Sequence, residues 1–179
     1  MYYMTQCESP VGQITLASDG QNLVGLWLKG QKYFGDTVNE EMKTADDLDI
    51  FKATNNWLNR YFAGENPAIS ELALAPIGGT FRQEVWRLLC EIPYGEVTTY
   101  GEIARKVAEK LLKTNMSAQA VGGAVGHNPV SIVIPCHRVV GTNGSLTGYA
   151  GGVDKKIWLL THEGVNVERV TVPTKGTAL

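Results

Sequence analysis

A cysteine and a histidine stand side by side in residues 134–139, Ile-Pro-Cys-His-Arg-Val. A thiol is a weak nucleophile near neutral pH, and it becomes reactive when a base or a positive charge favours the thiolate. Cys136 and His137 are candidates for such a nucleophile and base. We expect residues 131–134 to form a buried strand, with a turn at Pro135 that lets water bridge the imidazole and the sulfur. An inert core cysteine is the alternative, although Pro135 and the charged pair after Cys136 argue against it.

Length and composition restrict the class of protein. The 179 residues are 44% hydrophobic, which is enough to bury one sizeable core or two small ones. No apolar stretch approaches the roughly 20 residues of a membrane span, and residues 1–10 lack the pattern of a signal peptide. We therefore expect a soluble, cytoplasmic protein that has no membrane partner.

The cysteines are odd in number and widely spaced: Cys7, Cys90 and Cys136. This spacing suits neither a disulfide framework nor a zinc cluster. The sequence also lacks a phosphate-binding glycine loop. We expect reduced thiols, no metal and no cofactor.

Charge is distributed unevenly and indicates two domains. Residues 1–77 carry 5 basic and 10 acidic side chains, net -5, whereas residues 78–179 carry 11 and 8, net +3. The second half favours a polyanionic partner, although ordinary variation between two solvated surfaces explains the difference equally well. With a linker at 76–79, we predict domains over 1–77 and 78–166 and a tail over 167–179.

The first domain has the patterns of strands and one helix. Residues 12–17 and 22–28 alternate as strands of an antiparallel meander around a turn, and residues 69–75 predict another strand. A helix is predicted over 46–62, ended by Ala63-Gly64. This half contains no chemical motif.

The second domain is predicted to be mostly helical. Thr80 is expected to cap a helix that Pro93 breaks, a second helix spans 101–108, and Ser117 is expected to cap a third over 118–125. Two short helices joined by a turn and followed by strand residues are typical of a helix-turn-helix with a wing.

The last of these helices contains Gly122-Gly123 and almost no large side chains. Glycine costs a helix about 1 kcal/mol relative to alanine, so its smooth surface implies a close approach to another backbone. A duplex groove and tight packing on a neighbouring protein element both fit.

Several segments together resemble the methylated-DNA-protein-cysteine methyltransferases, almost continuously from about Gly79 to Gly164. They are residues 94–100, 118–125, 128–129, 134–140, 148–152, 158–160 and 162–164. The first half resembles that family's ribonuclease-H-like domain loosely. The resemblance implies an α+β protein, with an N-terminal ribonuclease-H-like α/β domain and a mainly helical, winged helix-turn-helix-like C-terminal domain.

The resemblance also implies a function, namely repair of double-stranded DNA by removal of alkyl groups from O6 of guanine and, less readily, O4 of thymine. Cys136 corresponds to the alkyl acceptor, and Glu163 orients His137, which takes the thiol proton through water. Asn128 corresponds to the residue that holds the turn before the active-site strand. Tyr100 corresponds to the residue that protonates the departing guanine and helps to rotate the nucleotide out of the duplex.

Other positions correspond to contacts with DNA or with the flipped base. They are Gln119, Ala120, Gly122, Gly123, Arg138, Val139, Tyr149 and Ala150. Many family members have an arginine finger where this chain has Gln119, and an amide can still bond the orphaned base but brings no charge. Lys106, Lys110 and Lys113 are available for phosphates, although a solvated helix face also explains them.

Because a thioether is stable, the protein is expected to act once, as a monomer without cofactor. One alternative is a noncatalytic protein that senses alkylated bases, which would be expected to lack the acceptor thiol. A winged-helix regulator would have no use for the Cys-His-Glu set, and a cysteine hydrolase would turn over an acyl substrate.

Overall fold

The computed structural model describes residues 1–146 and 148–169, and these divide into two compact units. The first unit contains residues 1–78 and 129–133, and the second contains residues 79–128 and the described residues from 134 on. The predicted domain ranges place residues 129–133 in the second domain, whereas in the structure these residues belong to the first unit. Of the predicted tail, residues 170–179 lie outside the described residues.

The first unit is built on a four-stranded sheet in the order β3-β2-β1-β4. The strands are β1 (Tyr2–Cys7), β2 (Ile14–Ser18), β3 (Leu23–Leu28) and β4 (Met42–Thr44). The predicted meander of β2 and β3 is confirmed, whereas β1 and β4 were not predicted. β1 runs antiparallel to β2 and parallel to β4. β2 and β3 are buried along their whole length, so this part of the sheet is core.

One helix, α1 (Asp49–Phe62), belongs to the first unit. Its apolar positions recur every three or four residues, and Phe51, Trp57 and Tyr61 are buried. The prediction of its end at Ala63-Gly64 is confirmed, but the helix begins three residues later than predicted. The strand predicted over 69–75 is wrong, because the chain forms a 3₁₀ turn at Ile69–Glu71 and then a single bridge from Leu74 to Leu23.

The second unit contains four helices among the described residues. They are α2 (Thr80–Leu89), α3 (Tyr100–Lys110), α4 (Ala118–Gly126) and α5 (Val153–His162). Two short strands, β5 (Thr98–Thr99) and β6 (Val139–Val140), pair in parallel. The Trp86 indole on α2 donates to the carbonyl oxygen of Ala124 on α4 over 2.9 Å, which joins these helices through the core.

The helix starts differ in how they are capped. The Ser117 hydroxyl accepts from the amides of Gln119 and Ala120, as predicted. The prediction that Thr80 caps α2 is wrong. Thr80 is the first helical residue, and Gly79 occupies the cap position. α2 ends at Leu89, before it reaches Pro93, the residue that was predicted to break the helix.

The strand predicted immediately before Cys136 is wrong. Residues 131–134 are buried as predicted, but they form a turn in which Ile132 has a φ of 71°. Val130 bridges Leu26 of β3 within the first unit, and only this single bridge precedes the turn. An apolar run predicts burial reliably but does not distinguish a strand from a buried turn.

No helix among the described residues is both long and apolar enough to cross a membrane.

Candidate active site

Cys136 begins a single 3₁₀ turn, Cys136–Arg138, directly after Pro135. Its side chain is buried, with 4% of the residue exposed, and its amide donates to the carbonyl oxygen of Ile134 over 2.8 Å. Burial raises the pKa of the Cys136 thiol, because a thiolate loses the stabilisation of water there. The protein must therefore supply its own stabilisation for the thiolate.

Asn128 provides part of that stabilisation. It follows the end of α4, and its side-chain amide donates to the carbonyl oxygen of Ile134 over 2.8 Å. The same side chain hydrogen-bonds Cys136, which lowers the pKa of the thiol against the effect of burial. The predicted role of Asn128 in holding this turn agrees with these contacts.

His137 and Glu163 meet in the buried interior of the second unit. Nε2 of His137 lies 2.6 Å from Oε2 of Glu163, and neither side chain is exposed. Burial lowers the pKa of His137, although the bond to Glu163 opposes this effect, and the imidazole is therefore neutral at pH 7. Nδ1 of His137 is buried and has no hydrogen-bond partner within the described part of the chain.

Glu163 follows α5 and accepts hydrogen bonds from several donors. Arg138 donates from Nε to Oε1 over 2.7 Å and from Nη2 to Oε2 over 3.1 Å. The Gly95 amide donates to Oε1 over 3.3 Å. Burial alone would raise the pKa of Glu163, but the bonds from His137 and Arg138 outweigh it and hold that pKa far below its usual value. Glu163 is thus a carboxylate at any physiological pH.

Lys156 is a site residue that the sequence analysis missed. It lies on α5, it is fully buried, and its ammonium donates to the carbonyl oxygen of Val139. Burial lowers the pKa of Lys156 to about 8, while the charge of Cys136 opposes that change. In turn, the ammonium lowers the pKa of the thiol. The available signal was a lysine on the apolar stripe of α5, in register with Val153 and Leu160.

Two tyrosines lie near these groups. Tyr100 begins α3, and the Lys156 ammonium is 6.0 Å from the centre of its ring. A Cβ added to Gly148 would lie 2.8 Å from the Tyr100 hydroxyl, so that glycine leaves room for it. Tyr149 is buried with its ring 6.5 Å from the His137 ring, and burial raises its pKa well above the usual value.

The predicted DNA contacts divide into exposed and buried positions. Gln119, Ala120 and Gly123 are exposed on α4, while Gly122 and Ala150 are half-buried. Arg138, for which a DNA contact was predicted, is buried, and each of its three guanidinium nitrogens donates a hydrogen bond within the protein. Val139 is also buried, in β6, and its carbonyl oxygen accepts from Lys156.

Together these groups can activate a thiol. The buried thiol of Cys136 is next in the chain to a neutral imidazole, an ionised carboxylate holds that imidazole, and an ammonium favours the thiolate. Over the residues that the structure describes, no three histidine, cysteine or acidic side chains cluster as a metal site would require. All three cysteines are free thiols.

Two family models match this chain. Residues 1–76 match the ribonuclease-like domain of 6-O-methylguanine DNA methyltransferase, and residues 80–165 match its DNA binding domain. The predicted two-domain fold, ribonuclease-like and then helical, is thereby confirmed.

Individual relatives agree with the family models. A methylated-DNA--protein-cysteine methyltransferase of Haemophilus influenzae is 38% identical over 175 residues, which is 98% of this chain and 90% of that protein. The methylated-DNA--protein-cysteine methyltransferase of Methanosarcina acetivorans is 42% identical over 165 residues, which is 92% of this chain and 99% of that protein. The crystal structure of Mycobacterium tuberculosis OGT in complex with DNA superposes with a TM-score of 0.78 at 38% identity, covering 95% of this chain and 94% of that one.

Proposed function

The chain belongs to the 6-O-methylguanine DNA methyltransferase family, and we propose that it repairs DNA by moving a methyl or larger alkyl group from O6 of guanine onto Cys136. O4-alkylthymine is the slower substrate. The observation that carries this proposal is the buried set of Cys136, His137 and Glu163, with the His137–Glu163 bond at 2.6 Å.

The transfer is a displacement at the alkyl carbon. Nδ1 of His137 takes the thiol proton, through a water molecule, and the resulting thiolate attacks the carbon. A sulfur–carbon bond forms while the carbon–O6 bond breaks, and the electron pair of that bond remains on the guanine. Tyr100 then gives a proton to the departing guanine, which restores an ordinary base.

The product explains why one protein molecule acts once. The alkyl group ends as a thioether on Cys136, and none of the neighbouring side chains can hydrolyse such a bond. The reaction therefore consumes the protein stoichiometrically. No cofactor is required, because the thiolate itself is the acceptor.

The lesion must leave the duplex to reach a thiol that is only 4% exposed. Flipping a nucleotide out costs a few kcal/mol, and less for a damaged, poorly paired base. We propose that α4 enters a groove through its exposed small residues, as the second helix of a helix-turn-helix with α3. Tyr149 and Ala150 then form part of the wall around the base.

In this proposal, the Gln119 side chain fills the gap that the flipped base leaves in the duplex. It is exposed at the start of α4, where its amide can hydrogen-bond the orphaned partner base. Because an amide carries no charge, we expect a weaker hold than an arginine would provide. Lys106, Lys110 and Lys113 supply phosphate contacts.

A noncatalytic lesion sensor of the same architecture is the alternative. Such a protein has no need of an acceptor thiol or of a neutral imidazole beside it, so the presence of Cys136 and His137 counts against this alternative. A monomeric state and a cytoplasmic location stay predictions.

Intact-protein mass spectrometry tests the proposal. After incubation with duplex DNA that carries one O6-methylguanine, the protein should gain one methyl mass, and peptide mapping should place it on Cys136. The Cys136→Ser variant should gain none, while Cys7→Ser should gain it as the wild type does. Tight binding to the modified duplex without any mass gain would favour the lesion sensor.

A further inference from the structure

Glu163 is surrounded by donors on both of its oxygens. Oε1 accepts from Nε of Arg138 and from the Gly95 amide, and Oε2 accepts from Nη2 of Arg138 and lies against Nε2 of His137. A buried carboxylate needs a positive partner to remain ionised. His137 is neutral and cannot provide that charge, so the Arg138 guanidinium does.

Arg138 is itself held rigidly. Its Nη1 donates to the carbonyl oxygen of Ile92 over 2.7 Å, and its guanidinium carbon lies 5.7 Å from the centre of the Tyr94 ring. Nε and Nη2 together grip the carboxylate edge-on, an arrangement that the fork of arginine makes and the single ammonium of lysine cannot. The guanidinium beside Glu163 is therefore always positively charged, and these contacts also fix its position.

This arrangement decides which nitrogen of His137 carries the proton. An ionised carboxylate only accepts hydrogen bonds, so Nε2 must be the N–H and Nδ1 must hold the lone pair. We propose that Arg138 is a positioning residue for methyl transfer, which fixes His137 in the Nε2–H tautomer by keeping Glu163 an acceptor, and so leaves Nδ1 as the base for the Cys136 thiol. This inference rests on the proposed function.

Several charged and titratable groups face this cluster. His137 faces Glu163, Arg138, Lys156 and Tyr149, and Arg138 faces Glu163, Cys90 and Tyr94. Arg138 and Lys156 both oppose protonation of the imidazole, which lowers the pKa of His137 further. Without the charge of Arg138, either Glu163 or His137 accepts a proton at a higher pH. Either event disables the base. Either one therefore raises the pH below which methyl transfer is lost.

Three variants test the role of Arg138. Arg138→Gln removes the charge, and Arg138→Lys keeps the charge but loses the edge-on grip. Arg60→Gln is the matched control, because it removes a half-buried arginine that pairs with Glu71 over 2.7 Å in the first unit. The single-turnover rate of methyl transfer is measured from pH 5 to pH 9 for each. Nitrogen-15 NMR of the imidazole reports the tautomer and the pKa of His137 without any reaction.

In Arg138→Gln, the acidic limb of the rate profile should move upward by about one pH unit or more, since a charge this close shifts a pKa by that amount. Arg138→Lys should keep most of the wild-type profile, and Arg60→Gln all of it. The wild-type NMR spectrum should show the proton on Nε2.

A rate that falls equally at every pH in folded Arg138→Gln would mean that Arg138 only supports the structure, and would overturn the inference. So would an Nδ1–H tautomer in the wild type, which decides the matter even if Arg138→Gln does not fold. If the wild type transfers no methyl group, the proposed function fails, while the NMR measurement still tests the tautomer.

Discussion

The side-chain amide of Asn128 donates to the carbonyl oxygen of Ile134 over 2.8 Å and closes the loop between α4 and Cys136. The five residues inside this loop, 129–133, belong to the first unit, where Val130 bridges Leu26. Asn128 also hydrogen-bonds the thiol. One buried amide thus joins the end of the proposed recognition helix to the nucleophile.

Asn128→Ala should destabilise the protein and slow methyl transfer. It removes one of the two hydrogen bonds that the buried carbonyl oxygen of Ile134 accepts, the other coming from the Cys136 amide, and this loss costs about 0.5–1.5 kcal/mol. It also raises the pKa of the Cys136 thiol, so less thiolate is available. Denaturant unfolding and the single-turnover rate measure the two effects. Asn143→Ala, which alters an exposed turn, is the control and should change neither. Equal rates for the two variants would contradict this role.

Glu163→Gln should lower the free energy of unfolding by about 3–5 kcal/mol, because it leaves the buried guanidinium of Arg138 without its counter-charge. Methyl transfer should slow by about a hundredfold or more, since His137 loses the group that fixes its tautomer. Glu71→Gln, at an exposed pair with Arg60, should leave both quantities nearly unchanged. Similar stability losses in the two variants would contradict this prediction.

The effect of Glu163 should also depend on pH. Its pKa is lowered in the folded state, so its stabilisation is complete above the unfolded value of about 4.3. Below that pH the stabilisation declines towards the folded pKa. The difference in unfolding free energy between wild type and Glu163→Gln should therefore narrow as the pH falls from 5 to 3. A difference that stays constant over this range would show that the ion pair does not contribute.

Lys156→Met should slow methyl transfer at neutral pH. The ammonium lowers the pKa of the Cys136 thiol, and each pKa unit of that stabilisation corresponds to about tenfold more thiolate. Lys155→Met, one residue earlier on α5, is the matched control. The pH dependence of iodoacetamide labelling at Cys136 measures the thiol pKa directly, and a thiol pKa that is the same in both variants would exclude this role of Lys156.

Because of Lys156, the free energy of unfolding of the wild type should be larger at alkaline pH than at neutral pH. Its pKa is about 8 in the folded state against 10.5 ordinarily, so between these values the unfolded chain binds more protons. The free energy of unfolding therefore rises with pH across this window, by roughly 3 kcal/mol at most. Lys156→Met should lack this rise. Denaturant unfolding of both proteins at pH 7.5 and pH 10 measures the difference.

Gln119→Arg should strengthen the hold on DNA. An added cation at the exposed start of α4 should increase the slope of log affinity against log salt by about 1 in magnitude, and should speed repair if it fills the gap left by the flipped base. Gln21→Arg adds the same charge to an exposed turn of the first unit as the control. Binding isotherms at several salt concentrations measure the slopes, and identical slopes and repair rates for both variants would place α4 away from the DNA.

Local patterns in the sequence were sufficient for several elements. The β2–β3 meander, the end of α1 and the Ser117 cap all depend on residues within a few positions of one another. The Cys136-His137 pair was also visible, because chemistry of this kind needs particular residue types. The link to Glu163 and Asn128 came from resemblance to a known family, since neither position is adjacent to the pair in the sequence.

The tertiary structure decided what depends on distant contacts. An apolar run at 131–134 predicted burial, but the single bridge of Val130 to Leu26 leaves that run a turn instead of a strand. Arg138 and Lys156 are charged, and their residue types alone favour an exposed surface. Only the folded chain brings Arg138 to Glu163 and Lys156 to the carbonyl oxygen of Val139, where a partner makes their burial possible. The sequence thus identified the reacting atoms, and the fold determined the charges that surround them.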